Sequence, residues 1–378
     1  MNLALPPGST VVVTGANGYL ASHTSNELLK LGYRVRGTVR SPKPWLNAFY
    51  EREYGPNRFH TVLVPDFRDP EAIEAILTGA DGVVHLVTNL LLSLRTRSTL
   101  SMSSFIFHLY CFSFPNLQPY VSNVVPWSRQ ATLSVLQAAS QVSSMRRVVF
   151  ISSSMALYTP NPGQQGVLVD QDTWNVSAVL KALSPSWNLK SQIHDSAPPG
   201  VQKRQVEVYS ACKMICEWEA WEWVRCHRPA FEFNTVVAAF AVGKILMDEI
   251  PGSTMNWVRG LLHGDCTPMT LVPPKWFVDV EDIARLFVIA LLEPTVASER
   301  LFAFGESANW TDVLTILEQL QPENPLIPRP MPGELHDCAD IQPRGRAMQL
   351  LREFYGQPGM TPIAMSIARG IGCEPLKN

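Results

Sequence analysis

Tyr209 and Lys213 stand four residues apart in Tyr209-Ser-Ala-Cys-Lys213, inside a helix-like stretch that runs to about residue 226. Residues at that spacing share one face of a helix, so the phenol and the ammonium point the same way. Tyrosine titrates near pH ~10 and is a poor proton carrier at neutrality, but a neighbouring ammonium favours the phenolate and makes the side chain a usable acid or base. The same spacing also describes an ordinary exposed helix pair. A second feature points toward chemistry: Ser152, Ser153 and Ser154 close the strand-like run 147–151. In an open parallel sheet, ligands bind beyond the carboxyl ends of the strands, where one such hydroxyl can hold a substrate oxygen. Turn capping accounts for the other two, and Ser154 is the residue expected to act.

A third constellation is Thr14-Gly15-Ala16-Asn17-Gly18-Tyr19-Leu20-Ala21, between a strand-like run and a helix-like one. Gly15 and Gly18 let the backbone turn sharply and approach a pyrophosphate, whose charge meets the N–H groups of the following helix. Asn17, Tyr19 and Leu20 complete the expected cradle, and the small Ala21 allows close packing of helix on sheet. The next strand ends Arg36-Gly37-Thr38-Val39-Arg40, without the acidic residue that commonly holds the ribose hydroxyls of NAD. Arg40, helped by Lys43, can instead pair with a 2′-phosphate, so NADP(H) is the expected cofactor. Asp66, just past the third strand, is placed to accept from the adenine amino group.

These groups need a scaffold, and the sequence supplies one. Apolar, β-branched runs recur at 10–14, 34–39, 61–64, 82–87, 147–152 and 232–237, with helix-like stretches at 19–31, 70–77 and 132–142. Short unalternating strands separated by helices predict an α/β fold, a doubly wound parallel (Rossmann) sheet buried on both faces. Residues 1–240 form the expected dinucleotide-binding domain, to which 277–305 returns with a helix at 281–292 and a strand at 301–304. Segments 160–205 and 243–276, with a helical tail at 312–372 inside 306–378, are assigned to a smaller substrate-binding cap. Residues 90–116 have no steady period and are read as an irregular insertion, either a loop over the site or a spurious segment.

The 378 residues carry 31 Lys and Arg against 33 Asp and Glu, which leaves no charge surplus for a nucleic acid or an acidic membrane. The most apolar stretch, 105–114, is too short to span a bilayer. Seven cysteines without a Cys-x-x-Cys pair indicate neither a disulfide framework nor a zinc ribbon, so no metal is expected. With no basic leader visible at residues 1–7, the expected compartment is the cytoplasm.

Five segments together, PPGSTVVVTGANGYLASH, YRVRGTVRS, RVVFISSSMALY, VYSACK with EAWEWV, and VPPKWFVDVEDIARL, resemble the extended short-chain dehydrogenase/reductase family. Within that family the likeness is to fungal aldehyde reductases and plant dihydroflavonol and cinnamoyl-CoA reductases, and it covers nearly the whole chain. The resemblance implies a catalytic triad of Ser154, Tyr209 and Lys213. It implies a cofactor-lining segment His85-Leu86-Val87-Thr88, and a structural role for Asp282. Three departures stand out: the 90–116 insertion beside the cofactor crevice, Val237-Ala238-Ala239-Phe240 where the family commonly has a proline, and Asp279 where many relatives carry a histidine. The expected activity is NADPH-dependent reduction of an aldehyde or ketone, an aromatic or polyketide-like compound of fungal secondary metabolism. Trp174, Trp187, Trp257 and Trp276 are candidates to line its pocket. An epimerase or dehydratase with the same triad, or a nonenzymatic NADP-sensing regulator, are the alternatives.

Overall fold

The computed structural model describes residues 3–87, 121–183 and 199–374. The 90–116 insertion, Thr88, Trp187 and Cys111 lie outside the described residues. In chain order the first half contains β1 (Thr10–Val13), α1 (Tyr19–Lys30), β2 (Arg34–Val39), α2 (Pro44–Tyr54), β3 (Phe59–Leu63), α3 (Pro70–Leu77), β4 (Gly82–His85), α4 (Val121–Gln141) and β5 (Arg147–Ser153). There follow β6 (Leu168–Val169), α5 (Val176–Leu183), α6 (Pro199–His227), β7 (Glu232–Ala238), β8 (Phe240–Val242), α7 (Thr254–Leu261), α8 (Thr267–Leu271), β9 (Lys275–Asp279) and α9 (Val280–Leu292). The chain closes with β10 (Arg300–Ala303), β11 (Glu306–Ala308), α10 (Trp310–Leu320), β12 (Asp340–Ile341), α11 (Arg344–Tyr355) and α12 (Ile363–Ile371).

Seven strands form one sheet in the order β10-β7-β5-β4-β1-β2-β3, each pair parallel. This is the doubly wound α/β fold the strand pattern predicts. The central strands β1, β4 and β5 are covered on both faces, which is why Val11, Val12, Val13, Val83, Val84, Val148 and Val149 show no alternation of polar residues. Strand order reverses between β1 and β4, and a crevice opens there at the carboxyl ends. The 277–305 segment returns to the sheet: β10 pairs with β7, and α9 packs between α1, α11 and the strands. That double-sided burial explains an almost unbroken apolar run from Ile283 to Leu292.

The remaining strands form a three-stranded sheet, β11-β9-β8, and a short parallel pair of β6 with β12. The expected helical tail is instead three helices. α10 ends at Leu320, and six prolines between 322 and 343 prevent any continuation until α11. α4 also begins earlier than the periodicity suggests, carrying Pro126 within it, because it packs against α3 and α6. No helix among the described residues is long and apolar enough to cross a membrane.

Candidate active site

The glycine loop is held from below by β2. Gly15 N–H donates to Thr38 Oγ1 at 2.9 Å and Ala16 N–H to the Thr38 carbonyl at 2.8 Å. Gly15 sits at φ 68°, in the left-handed region, and a Cβ there would meet Val87 Cγ2 at 3.2 Å. Gly37 permits the approach of β2, since a Cβ would stand 2.6 Å from that of Ala16. The sequence reading passed over Gly37, although a glycine inside a strand signals such an approach. Gly18 caps α1 without a side chain, so the first-turn N–H groups of Tyr19, Leu20 and Ala21 keep no intrahelical acceptor. This cradle fits the pyrophosphate of a dinucleotide.

One continuous cleft of about 1680 Å³ runs from this loop across the carboxyl edge of the sheet. It is larger than the ~300–1,000 Å³ of a single small-molecule pocket and can take a dinucleotide with a second ligand. Gly15, Asn17, Gly18, Arg40, Lys43 and Val87 all line it, as does Tyr209. Arg40 is exposed at the end of β2 with no ion-pair partner among the described residues. Lys43 donates to Ser41 Oγ at 3.1 Å beside it.

Three predicted groups are placed otherwise. Tyr19 turns its buried side chain away from the cleft and donates its hydroxyl to the Gly243 carbonyl at 2.8 Å, so only its backbone can meet a phosphate. Leu20, likewise, packs against the core. Asp66 is held by Arg68 through contacts of 2.5 to 3.1 Å, and it does not border the cleft, whereas its neighbours Pro65 and Phe67 do.

The three serines at the end of β5 have three different roles. Ser152 donates to Glu217 Oε2 at 2.5 Å. Ser153 accepts from Met155 N–H at 3.3 Å, starting a single 3-10 turn over Ser154–Ala156, and it lines the cleft together with Tyr209. Ser154 borders the cleft one position further on. Burial pushes the Tyr209 hydroxyl above its ordinary pKa, and Ser153 opposes part of that rise.

Lys213, one turn along α6, donates to the Ile151 carbonyl at 3.2 Å; burial lowers its pKa while Cys216, Cys212 and Glu217 oppose the drop. It borders a cavity of about 30 Å³ that shares Val87 with the main cleft. His85 lies there too, its ring tilted between those of Phe67 and Phe150, its pKa pushed down to about 3 by burial and then by Lys213. The Thr14 hydroxyl accepts from Leu86 N–H at 2.8 Å and so donates to His85 Nδ1 at 3.1 Å, which fixes a neutral imidazole.

Of the candidate tryptophans, Trp174 and Trp257 line the cleft, while Trp276 lies under the guanidinium of Arg344 at 5.1 Å. Trp127 and Asn175, which no sequence signal marks, also line it. Asp282 is structural, as expected: it is fully buried and accepts from Thr361 N–H, Gln357 Nε2 and Arg285 Nη1. Ala239 and Phe240 border the cleft at the end of β7, where the family proline is missing.

A doubly wound sheet with a phosphate cradle on its first turn, and a serine, tyrosine and lysine at the crevice, defines a dinucleotide-dependent oxidoreductase. The comparisons give the family. The NAD dependent epimerase/dehydratase family matches residues 11–106. Ketoreductase adrE of Penicillium roqueforti is 39% identical over 373 residues, covering 99% of this chain and 98% of that protein. Aldehyde reductase 2 of Sporidiobolus salmonicolor is 30% identical over 377 residues, 99% and 98% of the two chains. The yeast methylglyoxal/isovaleraldehyde reductase Gre2, solved with NADPH, superposes with a TM-score of 0.72 at 21% identity, over 96% of this chain and 97% of that one. The chain belongs to the NAD(P)-dependent epimerase/dehydratase family, the extended short-chain dehydrogenase/reductases, and is an oxidoreductase of that type.

Proposed function

We propose that the protein reduces the carbonyl of an aldehyde or ketone, of aromatic or polyketide-like character, with NADPH. The observation that supports this reading is that Ser153, Ser154 and Tyr209 line the same cleft as Gly15, Asn17 and Gly18 of the glycine loop. Hydroxyls of a serine and a tyrosine then face the place where a substrate oxygen would sit, and the Lys213 ammonium one helical turn from Tyr209 would favour release of its proton. In this reading Ser153 takes the role expected for Ser154, holding the carbonyl oxygen while Tyr209 gives it a proton. Lys213 holds the nicotinamide ribose and favours the phenolate that remains. The nicotinamide supplies the hydride. Gly15, Asn17, Gly18 and the backbone of Tyr19 and Leu20 hold the pyrophosphate, and Arg40 with Lys43 receives the 2′-phosphate.

The substrate side of the cleft favours reduction over nucleotide-sugar chemistry. Trp174, Phe240, Trp257, Leu271, Val272 and Pro273 make this side mostly apolar, with Lys275 among them, which suits an apolar carbonyl compound better than a sugar diphosphate with its many polar groups. The presence of both Tyr209 and Lys213 weighs against a purely regulatory NADP sensor. The names of the fungal relatives, a ketoreductase and an aldehyde reductase, support carbonyl reduction, for which a place in secondary metabolism is proposed here, and six free cysteines among the described residues suit a reducing compartment such as the cytoplasm. The test is NADPH oxidation by the purified protein with a panel of aromatic and aliphatic aldehydes and ketones. Turnover of several carbonyls with NADPH and less with NADH is expected. NADPH binding without turnover of any of them would return weight to the epimerase or sensor readings.

A further inference from the structure

Lys275 opens β9 and shares a face of that strand with Phe277, since alternate residues of a strand point the same way. It borders the cleft, yet only 9% of its surface is exposed. Its Nζ lies 3.5 Å from Met155 Sδ and 6.0 Å from the centre of the Phe240 ring. A thioether is a weak acceptor, and an ammonium has three donors to satisfy. The acidic group that acts on it is Asp337, whose oxygens are already engaged, Oδ2 by the Tyr158 hydroxyl at 2.5 Å and Oδ1 by Ala339 N–H at 3.1 Å. Glu207, the carboxylate nearer Tyr209 in the cleft, has one buried oxygen without a partner and makes no ion pair with Lys275 among the described residues.

A cation in this position is costly unless an anion joins it, because burial removes its hydration and the surrounding groups do not replace it. Burial pushes its pKa down to about 8, opposed by Asp337, so it is still mostly charged at pH 7. Its location also matters. Met155 follows Ser153 by two residues, and the Ser153 hydroxyl accepts the Met155 N–H, so the ammonium stands beside the turn that holds the reacting oxygen.

We propose that Lys275 is an anion-binding site in the substrate pocket, receiving the carboxylate of a keto acid whose ketone lies at Ser153 and Tyr209. The proposal rests on the reductase reading for the orientation of the ligand, though not for its binding. It gives the pocket a defined chemical demand: an apolar body, a reducible carbonyl, and an anionic oxygen at a fixed distance from it.

Calorimetric titration of the NADP⁺-loaded protein with benzoylpropanoate, benzoylbutanoate and benzoylpentanoate, each beside its methyl ester, tests this. At one or more chain lengths the acid should bind about ten- to a hundredfold more tightly than its ester, the value of a charge-assisted hydrogen bond. Lys275→Met should erase that preference, leave ester and NADPH affinities unchanged, and raise Tm, because a thioether suits the site better than an unpaired cation. Lys275→Arg should keep the preference, and Lys275→Gln gives the same reading as the methionine variant should that one fail to fold. No preference for acids at any length, equal weakening of acids and esters in Lys275→Met, or a loss of NADPH affinity would each overturn the proposal. Acid preference in a protein that oxidises NADPH with no carbonyl would sink the reductase reading alone. Turnover of the esters without any acid preference would sink this one alone.

Discussion

The guanidinium of Arg300 lies 3.8 Å above the indole ring of Trp174, joining the edge strand β10 to the wall of the substrate cleft. The same group grips Glu217, with Nε to Oε1 at 2.8 Å and Nη2 to Oε2 at 3.1 Å, and donates through Nη1 to the Gln171 and Thr173 carbonyls. Glu217 stands one turn beyond Lys213 on α6 and also accepts from Ser152 and Thr235. A single buried cation thus positions both the cleft wall and the helix that carries Tyr209 and Lys213.

Breaking this pair should be severe. Glu217→Gln leaves Arg300 buried without its counter-charge and is expected to cost about 3–5 kcal/mol in denaturant unfolding, while the double replacement Glu217→Met with Arg300→Met costs less than either single change. Burial alone would raise the Glu217 pKa, but Arg300 and the hydrogen bonds from Ser152 and Thr235 hold it below its ordinary value. A lowered folded-state pKa stabilises above the unfolded value and is lost as pH falls through the folded one. Wild-type stability should therefore fall with acid below pH ~4, more steeply than that of Glu217→Gln.

Tyr209→Phe removes one hydroxyl without opening a cavity, so Tm should hold while turnover falls by about a hundredfold or more. Comparing Ser153→Ala with Ser154→Ala separates the two serines. The first should lose most of its turnover and shift the alkaline limb of the pH profile upward, because Ser153, which opposes the rise of the Tyr209 pKa, is gone. Greater loss in Ser154→Ala would restore the role to Ser154.

Arg40→Ala should weaken NADPH binding by about 1.5–3 kcal/mol and NADH binding hardly at all, since only the former loses a charge-assisted phosphate contact. Equal losses measured by fluorescence titration of the two cofactors would show that Arg40 does not read the 2′-phosphate.

Asp279 caps α9 by accepting from Glu281 N–H at 2.7 Å. Burial, then the nearby Asp282, raises its pKa to about 7, with Glu281 adding to the effect. A raised folded-state pKa favours folding below the unfolded value, and this contribution disappears as pH climbs through about 7. Asparagine caps a helix as well and never ionises. Asp279→Asn should match wild type near pH 4 and exceed it at pH 8 by about 1 kcal/mol or more in thermal or chemical unfolding.

The nucleotide half of this protein was legible from its residues because its signals are local. A run such as Thr10–Val13, buried on both sides, needs no distant partner to look like a central parallel strand, and Gly15 marks a turn whose left-handed geometry glycine adopts easily. Tyr209 and Lys213 share a helix face through spacing alone. Sequence could not tell the surroundings of Ser152, Ser153 and Ser154 apart, since strand alternation ends in a 3-10 turn there and Glu217, which engages Ser152, comes from α6, more than fifty residues away. The same holds for Asp66, whose carboxylate is engaged by Arg68, and for Tyr19, which reaches across to Gly243. Lys275 reads as an ordinary strand-end lysine. Only the folding of β9 against Met155 and Phe240 buries its ammonium in the cleft, because burial is a property of what the rest of the chain brings alongside.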